Sequence, residues 1–283
     1  YIEKRSKEKG LHGRKLSPAT TKKELVTLRT AWNWAVHMGH LKRPFPNRGL
    51  RFGKTIEKPP FQTVAEIEKR LKRGGLTKAQ EADLWDSAFL TLSDVEELLW
   101  HVRGAARQPF VYPLFVFAAH TGARRSEMLR SELSDLDFES GTVLIREKKR
   151  VRGKLSTRRV PLSPFLKATL LEWLKVHPGG GNTFSQAPEV ERSKTHRGAA
   201  LPITPDEAHD HFKRTLRGSR FQSLRGWHVF RHSFCSNAAA QGVDQRLINA
   251  WVGHQTEEMV QRYRHLIPDQ QQEAIRRVFG DLS

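Results

Sequence analysis

The run FVYPLFVFAA at 110–119 is the longest apolar stretch of this 283-residue chain, and it constrains the fold most. Ten residues are too few to span a hydrocarbon layer about 30 Å thick. The run therefore reads as protein core, broken by Pro113, with an apolar helix continuing to His120 and stopped at Thr121-Gly122. The pattern around it is mostly helical. Ser17-Pro18 opens a helix over 17–41, with Leu25, Leu28, Trp32 and Ala35 at helical spacing and Gly39 at its end. Two polar helices follow at 61–75 and 77–90. Ser93 then caps a further helix, with Glu96 completing a capping box. Ser163-Pro164 and the pair Thr204/Glu207 open two more, and three short helices separated by Gly242 and Gly253 come last. Only TVLIREKK and STRRVPLS alternate with period two, as two strands around a basic turn. Residues 182–200 read as an irregular insertion. The fold class is mainly α with a small antiparallel β-sheet.

Charge narrows the function. Lysine and arginine number 49 against 30 acidic residues, a formal net charge of +19. The excess is uneven: residues 1–60 carry 15 basic and 4 acidic side chains, whereas 61–100 carry 5 and 8. A surface charged only for solubility has no need of that partition, so a polyanionic partner, nucleic acid, is expected. No helix combines this charge with an exposed apolar face, which argues against a membrane surface. The single cysteine, Cys235, excludes an internal disulfide and suits a reducing, intracellular compartment. The chain opens at Tyr1 without a methionine, and residues preceding it are expected.

Single motifs decide little. GKT at 53–55 is not a phosphate-binding loop, because Arg48 stands where that motif needs its first glycine. His228 and Arg231, three apart in GWHVFRHSFCSN, share a helix face but could be an ordinary surface pair. His228, His232 and Cys235 have spacings a metal tolerates, yet no second cysteine pair or nearby carboxylate completes a zinc site. Tyrosine is sparse: three against fifteen phenylalanines and seven tryptophans. Tyr1 is terminal, Tyr112 lies in the apolar run, and Tyr263 stands among arginines nine positions after His254.

Read in order, the pieces gain specificity. TGARRSEMLR supplies Arg124, IREKKRVRGK supplies hairpin lysines, HVFR supplies His228 and Arg231, VGH supplies His254, and RYRHL supplies Tyr263. This order resembles the tyrosine recombinase (phage integrase) family over residues 92–267, and more loosely over the N-terminal third.

The resemblance implies a chemistry that these residue types suit. A phosphodiester is anionic, and more charge develops in its transition state. Arg124 and Arg231 match the family's arginine pair, whose guanidiniums can clamp the non-bridging oxygens and stay charged at any working pH. Tyr263 matches the nucleophile, a phenol with an ordinary pKa of about 10. Its attack implies a 3′-phosphotyrosyl enzyme and a leaving 5′-hydroxyl. The proton for that oxygen is expected from Lys148, 24 residues after Arg124, with Lys149 and then Lys154 as alternatives. His228 would assist proton transfer at Tyr263, and His254 would hydrogen-bond the phosphate. Glu127 either orients the arginines or is a surface charge. Arg125 reads as a backbone contact or surface residue. The scheme requires no cofactor, neither metal nor nucleotide.

The same resemblance divides the chain into a helical core-type DNA-binding domain (1–60), linker helices (61–91) and a mixed α/β catalytic domain (92–283). It implies a cytoplasmic, nucleoid-associated protein that clamps double-stranded DNA and forms a homotetramer on paired sites. Integration or excision of a mobile element, with accessory DNA-bending or directionality proteins, is the expected use. After Pro268, the residues Ala274, Ile275, Val278 and Phe279 fall on one side of a final helix. That helix either folds back on its own domain or, as in the family, docks into a neighbouring protomer. The alternatives are a type IB topoisomerase-like enzyme that relaxes DNA and a basic, non-catalytic DNA-binding protein.

Overall fold

The structure is a computed structural model that describes residues 1–10, 16–53, 59–151, 154–187, 200–253 and 255–266, with backbone only at 148–151 and 154–155. His254 and the C-terminal helix expected beyond Pro268 lie outside the described residues. The chain divides into two compact units, 1–57 and 58–283.

In the first unit, α1 (Ile2–Lys7) and α2 (Pro18–His37) are tied by Arg5, whose guanidinium bonds both oxygens of Glu24 at 2.7 and 2.9 Å. The Ser17 hydroxyl accepts from the Thr20 amide and Pro18 takes the first helical position, where a missing N–H costs nothing. Leu25 is buried as its spacing predicts, but Leu28 of the same stripe is exposed. Trp32 packs edge-on against Phe45 and donates its indole N–H to the Arg43 carbonyl.

The second unit is built around the apolar run. β1 (Gln62–Thr63), α3 (Val64–Arg73), α4 (Lys78–Asp86) and β2 (Ala88–Phe89) come first, with β1 and β2 paired in parallel. Thr63/Glu66 and Thr77/Gln80 form capping boxes on the two helices, and Val64, Ile67 and Leu84 enter the main core. α5 (Leu92–Ala105) starts two residues earlier than its sequence signal: Thr91 and Asp94, not Ser93 and Glu96, form the capping box. The chain is fixed at that point, because Leu90 donates to the Ser233 hydroxyl and accepts from Asn237.

α6 (Val111–Thr121) is the central helix, contacted by α5 and, further along the chain, α8 (Pro164–Lys175) and α10 (His228–Ala240). Pro113 does not break the run. It sits in the first turn, where backbone N–H groups have no intrahelical partner to lose. Phe115 anchors an aromatic cluster with Phe212, Trp227 and Phe230, centroids 4.5–5.6 Å away. Gly122 ends α6 in the left-handed region (φ 59°), and Phe234 lies so close that a Cβ would meet its ring at 3.0 Å. Glycine is needed there twice over.

α7 (Arg125–Met128) and a 3-10 turn at Leu133–Asp135 lead into an antiparallel sheet ordered β3 (Leu136–Asp137), β4 (Thr142–Val151), β5 (Lys154–Pro161). β4 and β5 are the two expected strands, and β3 is an addition the sequence did not signal. Their pairing shifts between Arg146↔Thr157 and Arg150↔Leu155, so β4 bulges at 147–149. β6 (Ser185–Gln186) and β7 (Leu201–Pro202) pair at the ends of the stretch expected to be an irregular insertion. α9 (Pro205–Thr215) begins at the Thr204/Glu207 capping box, and α11 (Gln245–Val252) and α12 (Glu257–Gln261) complete the order. No helix among the described residues is long and apolar enough to cross a membrane.

Candidate active site

The site is assembled where α6, α7, β4, β5 and α10 meet. α10 begins at His228, which is exposed on its first turn, and one turn later Arg231 points inward and is buried. The i, i+3 spacing that leaves the pair on one side of a helix thus gives one a wet position and the other a dry one. Arg231 donates to the Gly122 carbonyl at 3.2 Å, the oxygen left over where α6 ends. Burial, reinforced by the charge of nearby Arg124, brings its guanidinium down to about 10. It still carries its charge at neutral pH.

Arg124 is the N-cap residue of α7 and is held by Glu127 in two ways. Its backbone amide donates to Glu127 Oε2 and its guanidinium to Oε1, both at 2.8 Å. Glu127 is not a surface charge: its side chain is 3% exposed, and it accepts a second guanidinium from Arg158 at 2.7 Å. Burial opposes its ionisation, but the Arg158 and Arg124 donors outweigh it and hold the carboxyl at about 2. The result is two guanidiniums, Arg124 and Arg231, close enough to repel, with one carboxylate orienting the first. Such a pair is arranged to receive an anion.

Tyr263 belongs to a second, smaller core with Phe61, Phe89, Cys235, Ile248 and Val252. It is fully buried. Its one hydroxyl proton goes to Gln255 Oε1, and its oxygen accepts from Gln245 Nε2 at 2.9 Å. Gln255 in turn donates to the Cys235 sulfur at 3.1 Å. Burial pushes the phenol up to about 12, against the opposing hydrogen bond from Gln245 and the attraction of Arg231. Cys235, one turn after Arg231 on α10, packs in the same core as Tyr263. Residues 59–61 hold the segment before it: Arg262 Nε donates to the Pro59 carbonyl, its guanidinium lies 4.0 Å over the Phe61 ring, and Phe61 N–H donates to the Arg262 carbonyl. The rings of Phe61 and Tyr263 are near parallel at 6.4 Å.

The structure therefore brings Arg124, Arg231 and Tyr263 into one neighbourhood. The His228 ring packs edge-on against His232 at 4.9 Å. Among the described residues, no group of His, Cys, Asp and Glu is arranged to hold a metal ion. Lys148 lies on β4 within the bulge. His254 follows Gly253 but is outside the description. Sequence reasoning missed Arg158, Glu147 and the two glutamines. Only Arg158 left a signal: β-alternation from buried Val160 places it on the inward face, opposite Ile145.

A mainly helical domain with a small antiparallel β-sheet thus sets two guanidiniums, which can bind an anion, near a buried phenol. The chain belongs to the phage integrase family, the tyrosine recombinases, whose family model matches residues 88–270. It is 26% identical over 268 residues to the tyrosine recombinase XerC of Treponema denticola, covering 93% of this chain and 78% of that protein. A putative integrase/recombinase of Sinorhizobium fredii is 30% identical over 189 residues, covering 62% of this chain, which spans 51% of that relative's length. The Tn1549 transposon integrase, solved in complex with transposon right end DNA, superposes with a TM-score of 0.51 at 16% identity over 77% of this chain and 85% of that one. At that identity the likeness speaks to the fold.

Proposed function

We propose that the chain is a site-specific recombinase that cleaves and rejoins duplex DNA through a 3′-phosphotyrosyl intermediate. The observation that carries this reading is the placement of Arg124, held by buried Glu127, beside the Gly122 carbonyl that receives Arg231, with Cys235 one turn after Arg231 packed in the same core as Tyr263. The two guanidiniums bind the non-bridging oxygens of the scissile phosphate and meet the charge that builds as the phenol attacks. The Tyr263 oxygen bonds to phosphorus, the bond to the 5′-oxygen breaks, and Lys148 protonates that oxygen as it leaves. His228 assists removal of the phenolic proton and His254 hydrogen-bonds the phosphate. The phosphotyrosyl bond conserves the energy of the diester, so rejoining requires no ATP, and the arginines supply the charge a metal would otherwise bring.

In the structure the phenol is neutral and its hydroxyl faces two amides, neither of which can act as a base. Cleavage therefore requires the 262–266 segment to deliver Tyr263 out of this pocket to the phosphate. Integration or excision of a mobile element is the use we infer, by a homotetramer on paired sites aided by accessory DNA-bending or directionality proteins. Such an element leaves repeats flanking its gene, and these give the sequence for a suicide duplex, nicked so that the cleaved strand is lost.

On that substrate Lys148→Ala should cleave far more slowly than Lys149→Ala. A 5′-bridging sulfur, whose departure needs no proton, should restore the rate of the first variant. If only Lys149→Ala is slow and rescued, the leaving-group acid is Lys149; if neither is, it is not on this strand.

A further inference from the structure

Arg158 has no part in the scheme above, yet it is the most highly connected buried cation among the described residues of the site. It sits on β5, opposite Ile145, with 7% of its side chain exposed. Three of its bonds leave in three directions. Nη2 donates to Glu127 Oε2 at 2.7 Å, Nη1 to Glu147 Oε1 at 3.0 Å, and Nε to the Trp251 carbonyl at 2.6 Å. Each acceptor belongs to a segment that carries a proposed site residue. Glu127 holds Arg124. Glu147 directly precedes Lys148 at the mouth of the β4 bulge, where the ladder no longer fixes the chain. Trp251 stands near the end of α11, three residues before His254.

We infer that Arg158 is a positioning residue for DNA cleavage, one guanidinium that sets Arg124, the Lys148 strand and the end of α11 in register. The inference rests on the function proposed above. A planar fork with fixed donor directions suits the task, and a lysine, a single point charge, cannot meet all three acceptors at once. Gly253 completes the arrangement. Its φ is 79°, a conformation that disfavours any side chain, and a Cβ there would displace the Glu147 carboxylate that Arg158 binds. Arg231 and Arg124 would then bind the phosphate while Arg158 binds protein alone.

The test uses the full chain with Arg158→Lys and, separately, Glu147→Gln, on the nicked suicide duplex carrying the flanking-repeat sequence. Single-turnover cleavage is measured at saturating DNA, with and without the 5′-bridging sulfur, beside DNA affinity. Arg158→Lys should cleave about 10–100-fold more slowly, the usual cost of losing a group that orients a reacting one. Its DNA affinity should be unchanged, and the sulfur should recover part of the rate, because a displaced Lys148 matters less to a leaving group that needs no proton. Glu147→Gln, which leaves the Glu127 and Trp251 bonds in place, should show a smaller loss of the same kind. If Arg158→Lys cleaves at the wild-type rate, the inference is wrong. It is equally wrong if that variant loses affinity and rate together with no rescue by sulfur while Glu147→Gln is unaffected, since Arg158 would then serve stability only. Failure of the unmodified chain to cleave at all would instead overturn the proposed function.

Discussion

A Tyr263→Phe chain should bind the suicide duplex as tightly as the unmodified protein and form no covalent adduct with it. The substitution removes one oxygen. The ring keeps its place beside Phe61, and the packing of Ile248, Val252 and Phe89 around it is unaltered. What is lost within the fold is a set of hydrogen bonds to Gln245 and Gln255, and both amides retain other partners. Gln245 still reaches Asn249, and Gln255 still reaches Cys235. The cost to stability should therefore be only about 1 kcal/mol. No other phenol can substitute. Tyr1 is exposed in the first unit, bonded to Glu24, and Tyr112 lies in the central helix α6 with Arg103 over its ring. Denaturing gels read the adduct and native gels the binding. An adduct of undiminished yield would remove Tyr263 from the mechanism.

The second large effect concerns salt. A net charge of +19, with 15 basic against 4 acidic residues in the first sixty, provides enough cations to contact many phosphates at once. Each neutralised phosphate releases condensed counterions, so binding weakens as a power of the salt concentration. Contact with six to ten phosphates gives roughly a 10³–10⁵-fold loss of affinity between about 50 and 200 mM salt. Titrations at several salt concentrations measure the slope directly. A nearly flat dependence would mean that the basic excess does not face the duplex.

Most of the scaffold was legible in the sequence because its signals are local. A capping box needs only four residues, and Thr204/Glu207 and Ser163-Pro164 behave as they read. The start of α5 was misread because TLSDVEE offers two overlapping boxes. A distant contact, Ser233 and Asn237 on Leu90, fixes the chain beside the earlier one. Pro113 misled for a related reason: a proline interrupts a helix only beyond the first turn. Within the candidate site, Arg124 and Arg231 were singled out through ordered motifs. Their surroundings were not, since Glu127 could have been solvated as easily as buried until Arg158 was seen to face it from β5, 31 residues away. The enclosure of the Tyr263 hydroxyl was hidden altogether. Gln245 and Gln255 have no spacing that marks them, and they meet the phenol only because α11 and the turn after it pack on α10.

The central claim is that Tyr263 becomes joined to the 3′-phosphate of cleaved DNA. The most direct measurement is mass spectrometry of the protease-digested adduct formed by the unmodified chain on the suicide duplex. The account predicts a single modified peptide, the one that contains Tyr263, with the nucleotide 3′-phosphate on that residue and a free 5′-hydroxyl on the released strand. A phosphate carried by any other residue, or a 5′-linked adduct, would contradict it.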